Sequence, residues 1–252
     1  MSVNKLKAND DKTHILVTRK DKKTEDIVVK IGKVNIKETQ SEKLLGVHID
    51  NNLKWTKHLK ELEVKLKYRL YCLRRLSEIL PDKELKSTAE GIFMSQVRYA
   101  LPLWCPTRIN ADDPHSTSIR RIEVEFNNCL RLLNKCQLKD KVSIEKMLEN
   151  TGWFSINQLS AETRLVEAWK CAYIENYSLQ DALVKQRKGS YQTRRNEMIH
   201  FERGADDLHG STSFVNTTAK LWEIAPEEIK KATSLNQAKN QIRKFVKNCI
   251  AI

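Results

Sequence analysis

Three pairs of adjacent aspartates are the residues whose type and spacing could carry metal chemistry: Asp10-Asp11, Asp112-Asp113 and Asp206-Asp207. Paired carboxylates hold the two magnesium ions of polymerases. Such a pair needs rigid support, usually a hairpin with apolar strands on both sides, and none of the three pairs has it. The second pair precedes a proline at a predicted helix start, where carboxylates complement the helix dipole, and the third lies in a polar connection. We therefore expect loop and cap roles for these aspartates and no metal site.

The histidines, cysteines and glycines form none of the patterns typical of a self-contained enzyme. The six histidines show no H-x-x-x-H or H-E-x-x-H spacing. The six cysteines contain no C-x-x-C, which favours free thiols in a reducing compartment over a zinc site. The seven glycines are too far apart for a phosphate-binding loop. We expect no cofactor to be bound by this chain alone.

A basic stretch that follows Trp55 is the strongest candidate for a binding surface. Between Lys54 and Arg75, eight Lys or Arg stand against two Glu, a local charge of +6 (8 − 2). Lysine and arginine neutralise phosphates, and Trp55 and Tyr68 offer surfaces on which bases can stack. The alternative interpretation is a solvated helix face without a ligand. The candidate cations are Lys57, Lys60, Lys65, Lys67, Arg69, Arg74 and Arg75.

The elements that must position these residues change type near residue 55. Four runs rich in β-branched residues, THILVTR, DIVVKIG, VNI and LLGVHI, predict a small antiparallel sheet, with Gly46 in the middle of the last strand. After Trp55, leucines recur every three or four residues from Leu59 to Leu80, which predicts one long amphipathic helix that Pro81 ends.

Helical periodicity continues along the rest of the chain. It predicts helices from Asp82, as the cap, towards Tyr99, from Ile119 to Leu133, from a capping box at Ser155 and Gln158 to Ala172, and from Asn236 to Ile250. Gln186 to Ser213 is predicted to be a mobile polar connection, and a compact turn is predicted at Trp222, Ile224 and Pro226. The fold class is therefore α+β, mostly α: a small N-terminal antiparallel β-sheet followed by a helical bundle. The tryptophans are expected to pack in the core: Trp104, Trp153, Trp169 and Trp222.

The composition favours a polyanionic partner. The 252 residues carry a formal charge of +13, with 40% hydrophobic and 31% charged residues, a globular balance. Such a charge attracts nucleic acid first and an anionic membrane surface second. No signal peptide and no apolar run of about 18–20 residues is present. We expect an intracellular protein that is not secreted and not inserted in a membrane, with nuclear and cytoplasmic sites both open.

Six short motifs, taken in order, resemble the C-terminal part of the reverse transcriptase of non-LTR retrotransposons of the jockey and CR1 kind. The last of the six, at 221–230, departs from the family pattern at Glu223 and Ala225, where the family more often has Asn and Leu. The six are L-x-x-N-x-x-K-T at 6–13, K-x-L-G-V at 43–47 with W-x-x-H at 55–58, V-x-Y-x-x-x-x-W at 97–104, L-R-L-L at 130–133, G-W-x-S-I-x-Q-L at 152–159 and L-W-x-x-x-P-x-x-I-K at 221–230.

The resemblance implies roles for the basic helix and for the hairpin before it. Residues 1–55 would form the end of the palm with a primer-grip-like hairpin, 56–185 a helical thumb-like bundle, and 186–252 a basic connection and a C-terminal helical region. Leu45, Gly46 and Val47 would hold the primer, and Trp55 with the cations of the following helix would bind an RNA–DNA hybrid or a DNA duplex.

The resemblance also implies that catalysis is incomplete in this chain. The family's catalytic aspartates, which hold Mg²⁺ in the intact enzyme, lie upstream of the N-x-x-K-T motif, and eight residues precede Asn9. Lys12 matches the family's lysine, a suggested general acid, but would have no metal ligands beside it. We expect a reverse-transcriptase fragment that does not polymerise alone, with a separate palm and fingers polypeptide as a possible partner. The alternatives are a non-catalytic helical protein-interaction scaffold or an inert relic.

Overall fold

The computed structural model describes residues 13–18, 27–31, 34–109, 116–180 and 213–250. These residues belong to two compact units, one up to Leu62 and one from Glu63 onwards. The three aspartate pairs and Lys12 lie outside the described residues, and so does the predicted connection except for Ser213. Within the described ranges, no helix combines the length and the apolar character needed to cross a membrane.

The predicted fold class is confirmed, with strands before Thr56 and helices after it. The strands are β1 (Ile15–Leu16), β2 (Val28–Ile31), β3 (Val34–Thr39), β4 (Ser41–Leu44) and β5 (Val47–Asp50).

The strands differ in detail from the single antiparallel sheet that the sequence predicts. The first three form a sheet of order β1-β3-β2, in which β2 pairs antiparallel with β3 but β1 pairs parallel with it. The last two strands form a separate antiparallel hairpin, with Leu44 opposite Val47. Gly46 therefore lies in a turn between two strands and not inside one strand.

Helices dominate the rest of the described chain. Serine hydroxyls cap five of them by accepting a backbone hydrogen bond from the first turn. The helices are α1 (Thr56–Leu76), α2 (Asp82–Ala89), a π-helical turn (Glu90–Met94), α3 (Ser95–Arg98), α4 (Leu101–Trp104), α5 (Thr117–Leu133), a 3₁₀ turn (Leu138–Asp140), α6 (Ile144–Thr151), α7 (Ile156–Tyr173), α8 (Phe214–Ile224), α9 (Glu227–Lys230) and α10 (Leu235–Cys249).

Several helix boundaries differ from the predicted ones. The first helix ends at Leu76, four residues before the last leucine of its stripe, because the chain leaves the helix in a turn over 77–80. Pro81, and not Asp82, occupies the N-cap of α2. Trp222 lies within α8 and not in a turn; the turn follows at Ala225, where the chain leaves α8 before Pro226. The predicted capping box is confirmed, with Ser155 and Gln158 satisfying each other's backbone N–H groups at 3.1 Å.

Helix α7 lies at the centre of the second unit, and α4, α8 and α10 pack against it. Its apolar residues share one core with residues of α8 and α10. All four tryptophans of the second unit are buried, as predicted. Members of this core include Leu165, Trp169, Leu221, Trp222, Ile242 and Val246.

A buried arginine holds the segment after α4 onto α7. Arg164 is fully buried, and its Nη2 donates to the carbonyl oxygens of Pro102 (2.6 Å) and Cys105 (3.0 Å) while its Nε donates to Oγ1 of Thr107 (3.3 Å). Burial lowers the pKa of Arg164 to about 10. The hydroxyl of Ser160 donates to the same Cys105 carbonyl at 2.7 Å. The network therefore fixes the loop after α4, which the hydrophobic periodicity of the sequence does not predict.

Candidate nucleic-acid interface

The 21 residues of α1 separate cleanly into a buried and an exposed face. With about 100° of rotation per residue, its buried leucines fall on one side of the helix. The basic residues occupy the remaining surface: Lys57, Lys60, Lys65, Lys67, Arg74 and Arg75 are exposed, and Arg69 is half-buried. The leucines that face inward are Leu59, Leu62, Leu66, Leu70 and Leu73. The helix can therefore present cations to a ligand without giving up any apolar contact.

Both acidic residues of α1 are already engaged in ion pairs. Oε1 of Glu61 lies 2.9 Å from Nε2 of His48 on β5. Oε1 of Glu63 accepts from Nζ of Lys67 at 2.6 Å, and its Oε2 lies 3.9 Å from Nη1 of Arg121 on α5. Neither carboxylate therefore neutralises the other lysines of the helix.

Three of the predicted lysines lie where a phosphate could reach them. Lys57, Lys60 and Lys65 are exposed, and none of them forms an ion pair with any other residue that the structure describes. Their charges are therefore uncompensated locally, which is the arrangement that attracts a polyanion.

Lys67 is placed differently from the other predicted lysines of α1. Its ammonium group is exposed, but it donates to Glu63, and this hydrogen bond raises the pKa of Lys67. A phosphate would have to compete with the Glu63 carboxylate for this lysine. The sequence contained the signal, because Glu63 and Lys67 stand four residues apart on one helix.

The β4–β5 hairpin ends in a two-residue turn at Leu45 and Gly46. Both residues have positive φ, 48° and 83°, as a type I′ turn requires. Leu45 is 83% exposed in a conformation that disfavours a residue with Cβ. Val47 is only 5% exposed, so its side chain packs inward and only its backbone could contact a ligand.

The connection from β5 to α1 is organised by Asp50. Its two carboxylate oxygens accept from the backbone N–H groups of Lys54 (2.8 Å) and Thr56 (3.0 Å). Trp55, which lies between these residues, is half-buried and has a positive φ of 57°. Sequence reasoning missed Asp50, although an aspartate shortly before a helix is a usual capping signal.

Two further features of this surface were not predicted. Tyr71 is exposed on the same face as Tyr68, and Arg121 of α5 lies beside the Glu63–Lys67 pair. The tyrosine could have been found from its spacing, three residues after Tyr68. The arginine could not, since its approach depends on how α1 and α5 pack. Among the described residues, no group of three His, Cys, Asp or Glu is arranged to hold a metal ion.

Comparison with known proteins relates the chain to the Pol polyproteins of retrotransposons. One such relative is the Retrovirus-related Pol polyprotein from type-1 retrotransposable element R1 4 of Nasonia vitripennis, 29% identical over 123 residues. The match covers 46% of this chain and 31% of that protein, so the chain spans about a third of the curated relative that it matches. No protein-family model matches the chain, and no solved structure matches it at a significant level.

Proposed function

We propose that this chain binds nucleic acid through the exposed face of α1 and is a non-catalytic portion of a retrotransposon reverse transcriptase, corresponding to the end of the palm and the thumb of jockey and CR1 elements. The observation that carries the proposal is the set of uncompensated cations on α1, with both glutamates of that helix held in other ion pairs. The similarity to a Pol polyprotein supports the assignment to a retrotransposon protein.

The proposed ligand is a primer–template, an RNA–DNA hybrid or a DNA duplex. About six cations of α1 lack a carboxylate partner among the described residues, counting Arg69, Arg74 and Arg75 with the three exposed lysines that form no ion pair. Neutralising about six phosphates of a duplex gives a slope of log affinity against log salt of roughly −5. The hairpin tip at Leu45 and Gly46 is proposed to add a backbone contact that salt affects little.

Fluorescence anisotropy of a labelled RNA–DNA hybrid, titrated at several salt concentrations, tests the proposal. The variant that replaces Lys57, Lys60 and Lys65 with alanine should bind more weakly, with a salt slope flatter by about 3 units. The matched control replaces three other exposed lysines, Lys139, Lys146 and Lys244, which removes the same charge from other helices. Equal losses in the two triple variants would mean that binding follows net charge and not α1.

The ion pair of Glu63 provides a variant that should gain affinity. Glu63→Gln removes the carboxylate that holds Lys67 at 2.6 Å, so this lysine becomes available to a phosphate. The hybrid should then bind more tightly, with a slope steeper by about 1 unit. Unchanged affinity would exclude Lys67 from the interface.

The proposal includes no polymerisation by this chain alone. Primer extension should be absent with this protein, and it should appear only when a polypeptide that carries the palm and fingers is added. Extension by the chain alone would contradict the proposal. A folded protein that ignores the hybrid but forms a stable complex with another protein would instead favour the scaffold alternative.

A further inference from the structure

Three large uncharged side chains project from the middle of the exposed face of α1. Val64, Tyr68 and Tyr71 are 67%, 69% and 57% exposed. We name them the tyrosine ridge. About 100° of rotation per residue places all three within about 60° of one another around the helix axis, and the two tyrosines are separated by about 4.5 Å along it. In the part of the chain that the structure describes, neither tyrosine hydroxyl has a hydrogen-bond partner.

Cations flank the tyrosine ridge along both of its sides and at its end. On helical geometry, Lys67 and Arg74 lie on one side, Lys65 and Arg69 on the other, and Arg75 one turn beyond Tyr71. All five belong to the same helix and to the same compact unit as the ridge. The face therefore combines planar apolar groups at its centre with positive charge at its borders.

We infer that the tyrosine ridge is a stacking platform for unpaired bases, so that α1 binds single-stranded nucleic acid. The inference rests on the proposed function and adds a second ligand to the same helix, an unpaired strand beside the duplex. Stacking of a base on an aromatic ring contributes about 1–3 kcal/mol, and a positively charged groove that tracks the backbone adds affinity. Tyr68 and Tyr71 supply the rings, and the flanking cations that have no carboxylate partner among the described residues meet the phosphates on either side.

The chemistry of the ridge fits a single strand better than other polyanions. In a duplex the bases are stacked on each other, so a helix against its surface meets mainly sugar and phosphate, and the planar faces of the tyrosines remain unused. An acidic protein segment would pair with the cations but offers no row of flat rings. A single strand offers phosphates and free base faces together.

The experiment compares three labelled ligands of equal length at one salt concentration: a single strand, the same strand with abasic sites in place of its bases, and a duplex. The unmodified protein should bind the single strand about fivefold or more tightly than the abasic strand, because phosphate contacts are equal and only stacking differs. Equal affinity for the two strands would overturn the inference.

Variants of the ridge assign the effect to named residues. Tyr68→Ala and Tyr71→Ala should each weaken single-strand binding by about 5- to 100-fold, with little effect on the abasic strand. Tyr68→Phe and Tyr71→Phe keep the ring and should keep the affinity. Val124→Ala, an exposed apolar residue of α5, is the matched control and should change nothing. Because all these side chains are exposed, the variants should fold, which circular dichroism verifies.

The outcomes separate this inference from the proposed function. If the lysine variant weakens duplex binding while the tyrosine variants leave single-strand binding unchanged, the inference is wrong and the proposed function stands. If no ligand binds the folded protein, both fail. If duplex and single strand bind equally and both depend on the tyrosines, the ridge contacts sugars and the assignment to unpaired bases is wrong.

Discussion

Nε2 of His48 lies 2.9 Å from Oε1 of Glu61, which joins β5 of the hairpin to the second turn of α1. The imidazole is buried and the carboxylate is partly exposed, so the contact is shielded from solvent on one side. Asp50 makes the second connection through its hydrogen bonds to the backbone at the start of the helix. Strand β5 and the start of α1 are therefore held together by one small set of polar contacts.

Breaking the His48–Glu61 contact should loosen the hairpin. Glu61→Gln should lower the free energy of local opening by about 1–2 kcal/mol, because the charged carboxylate beside the buried His48 imidazole becomes a neutral amide and the contact weakens. Hydrogen exchange of amides 41–50 measures the effect as roughly 5- to 30-fold faster exchange. Glu42→Gln, which removes the more exposed His14–Glu42 contact of 3.5 Å, is the control and should have a smaller effect. Equal effects of Glu61→Gln and Glu42→Gln would mean that the loss of one negative charge, and not the His48–Glu61 contact, changes the stability of the hairpin.

A substitution at Leu45 should stabilise the turn at the hairpin tip. Leu45→Asn replaces a residue strained at φ 48° by one that tolerates positive φ, and completes the Asn-Gly pair that a type I′ turn favours. Exchange of amides 41–50 should slow by about 2- to 5-fold, an increase in stability of about 0.5–1 kcal/mol. Leu44→Asn, an exposed neighbour within β4, should not slow it.

The same substitution tests whether Leu45 contacts nucleic acid. If its exposed side chain touches the ligand, Leu45→Asn should weaken binding although the hairpin becomes more stable. Unchanged affinity would remove the Leu45 side chain from the proposed interface and leave only backbone contacts at Gly46.

Arg164 should be among the most sensitive positions of the second unit. Arg164→Ala should lower the free energy of unfolding by about 3 kcal/mol, because the carbonyls of Pro102 and Cys105 lose their donor and a cavity remains. Arg164→Lys should not restore it, since one ammonium group cannot replace the planar fork. The control is Arg243→Ala, which breaks an exposed pair with Glu162 and should cost less than about 1 kcal/mol. Urea unfolding distinguishes these outcomes.

The burial of three cysteines should make their thiols slow to react and should make the folded protein less stable at alkaline pH. Burial raises the pKa of Cys105 and of Cys129 to about 12 and that of Cys171 to about 11, from 9.0. In the native protein these three should resist a thiol reagent at pH 8, while the exposed Cys249 reacts at once. Rapid labelling of all six without denaturant would contradict the buried placement.

The direction of the pH effect follows from the same shifts. Below pH 9 these thiols are neutral in both the folded and the unfolded protein, and their stabilisation is fully present. Between pH 9 and about 12 the unfolded thiols ionise first, so the unfolded state binds fewer protons and the free energy of unfolding falls. Thermal melts at pH 8, 9.5 and 10.5 should show a falling midpoint, and replacing Cys105 and Cys129 with alanine should reduce this fall.

The long helices could be predicted from sequence because each has a strong stripe. The leucines of α1, the Ile119–Leu133 stripe of α5 and the Ser155–Gln158 capping box of α7 each depend only on residues of the helix itself. The strand at β1 could be predicted from the run THILVTR, but its pairing with β3 could not, because strand pairing depends on residues far apart in sequence. The parallel direction of this pairing is likewise set by the tertiary structure and not by the residues of either strand.

The candidate site was predictable only in part. The charge of α1 is local and could be counted, and so could the Glu63–Lys67 spacing that occupies one lysine. The burial of Val47 and the approach of Arg121 to Glu63 depend on packing between elements far apart in sequence. The turn at Leu45 was obscured because leucine is an unusual residue at positive φ.

Helix α2, the π-helical turn and α3 follow one another without a break, and the π-helical turn shifts which residues of this segment face the core. Its hydrogen bonds run from residue i to i+5, so it holds one residue more than the α-helical turn that it replaces. Four buried residues follow one another at four-residue spacing, which in a regular α-helix would rotate the stripe by about 40° at each step. The extra residue of the π-helical turn compensates for this rotation, so that the four residues stay on the buried side. The four are Leu85, Ala89, Phe93 and Val97.

This turn therefore marks a point where the chain can change its length by one residue. Deleting the exposed Gly91 should close the turn into regular α-helix while the segments on both sides keep their contacts with the core. Deleting Asn127 in the middle of α5 should instead rotate half of that helix by about 100° and unfold the bundle. Melting curves of the two deletion variants, followed by circular dichroism, should show one cooperative transition for the first and none for the second.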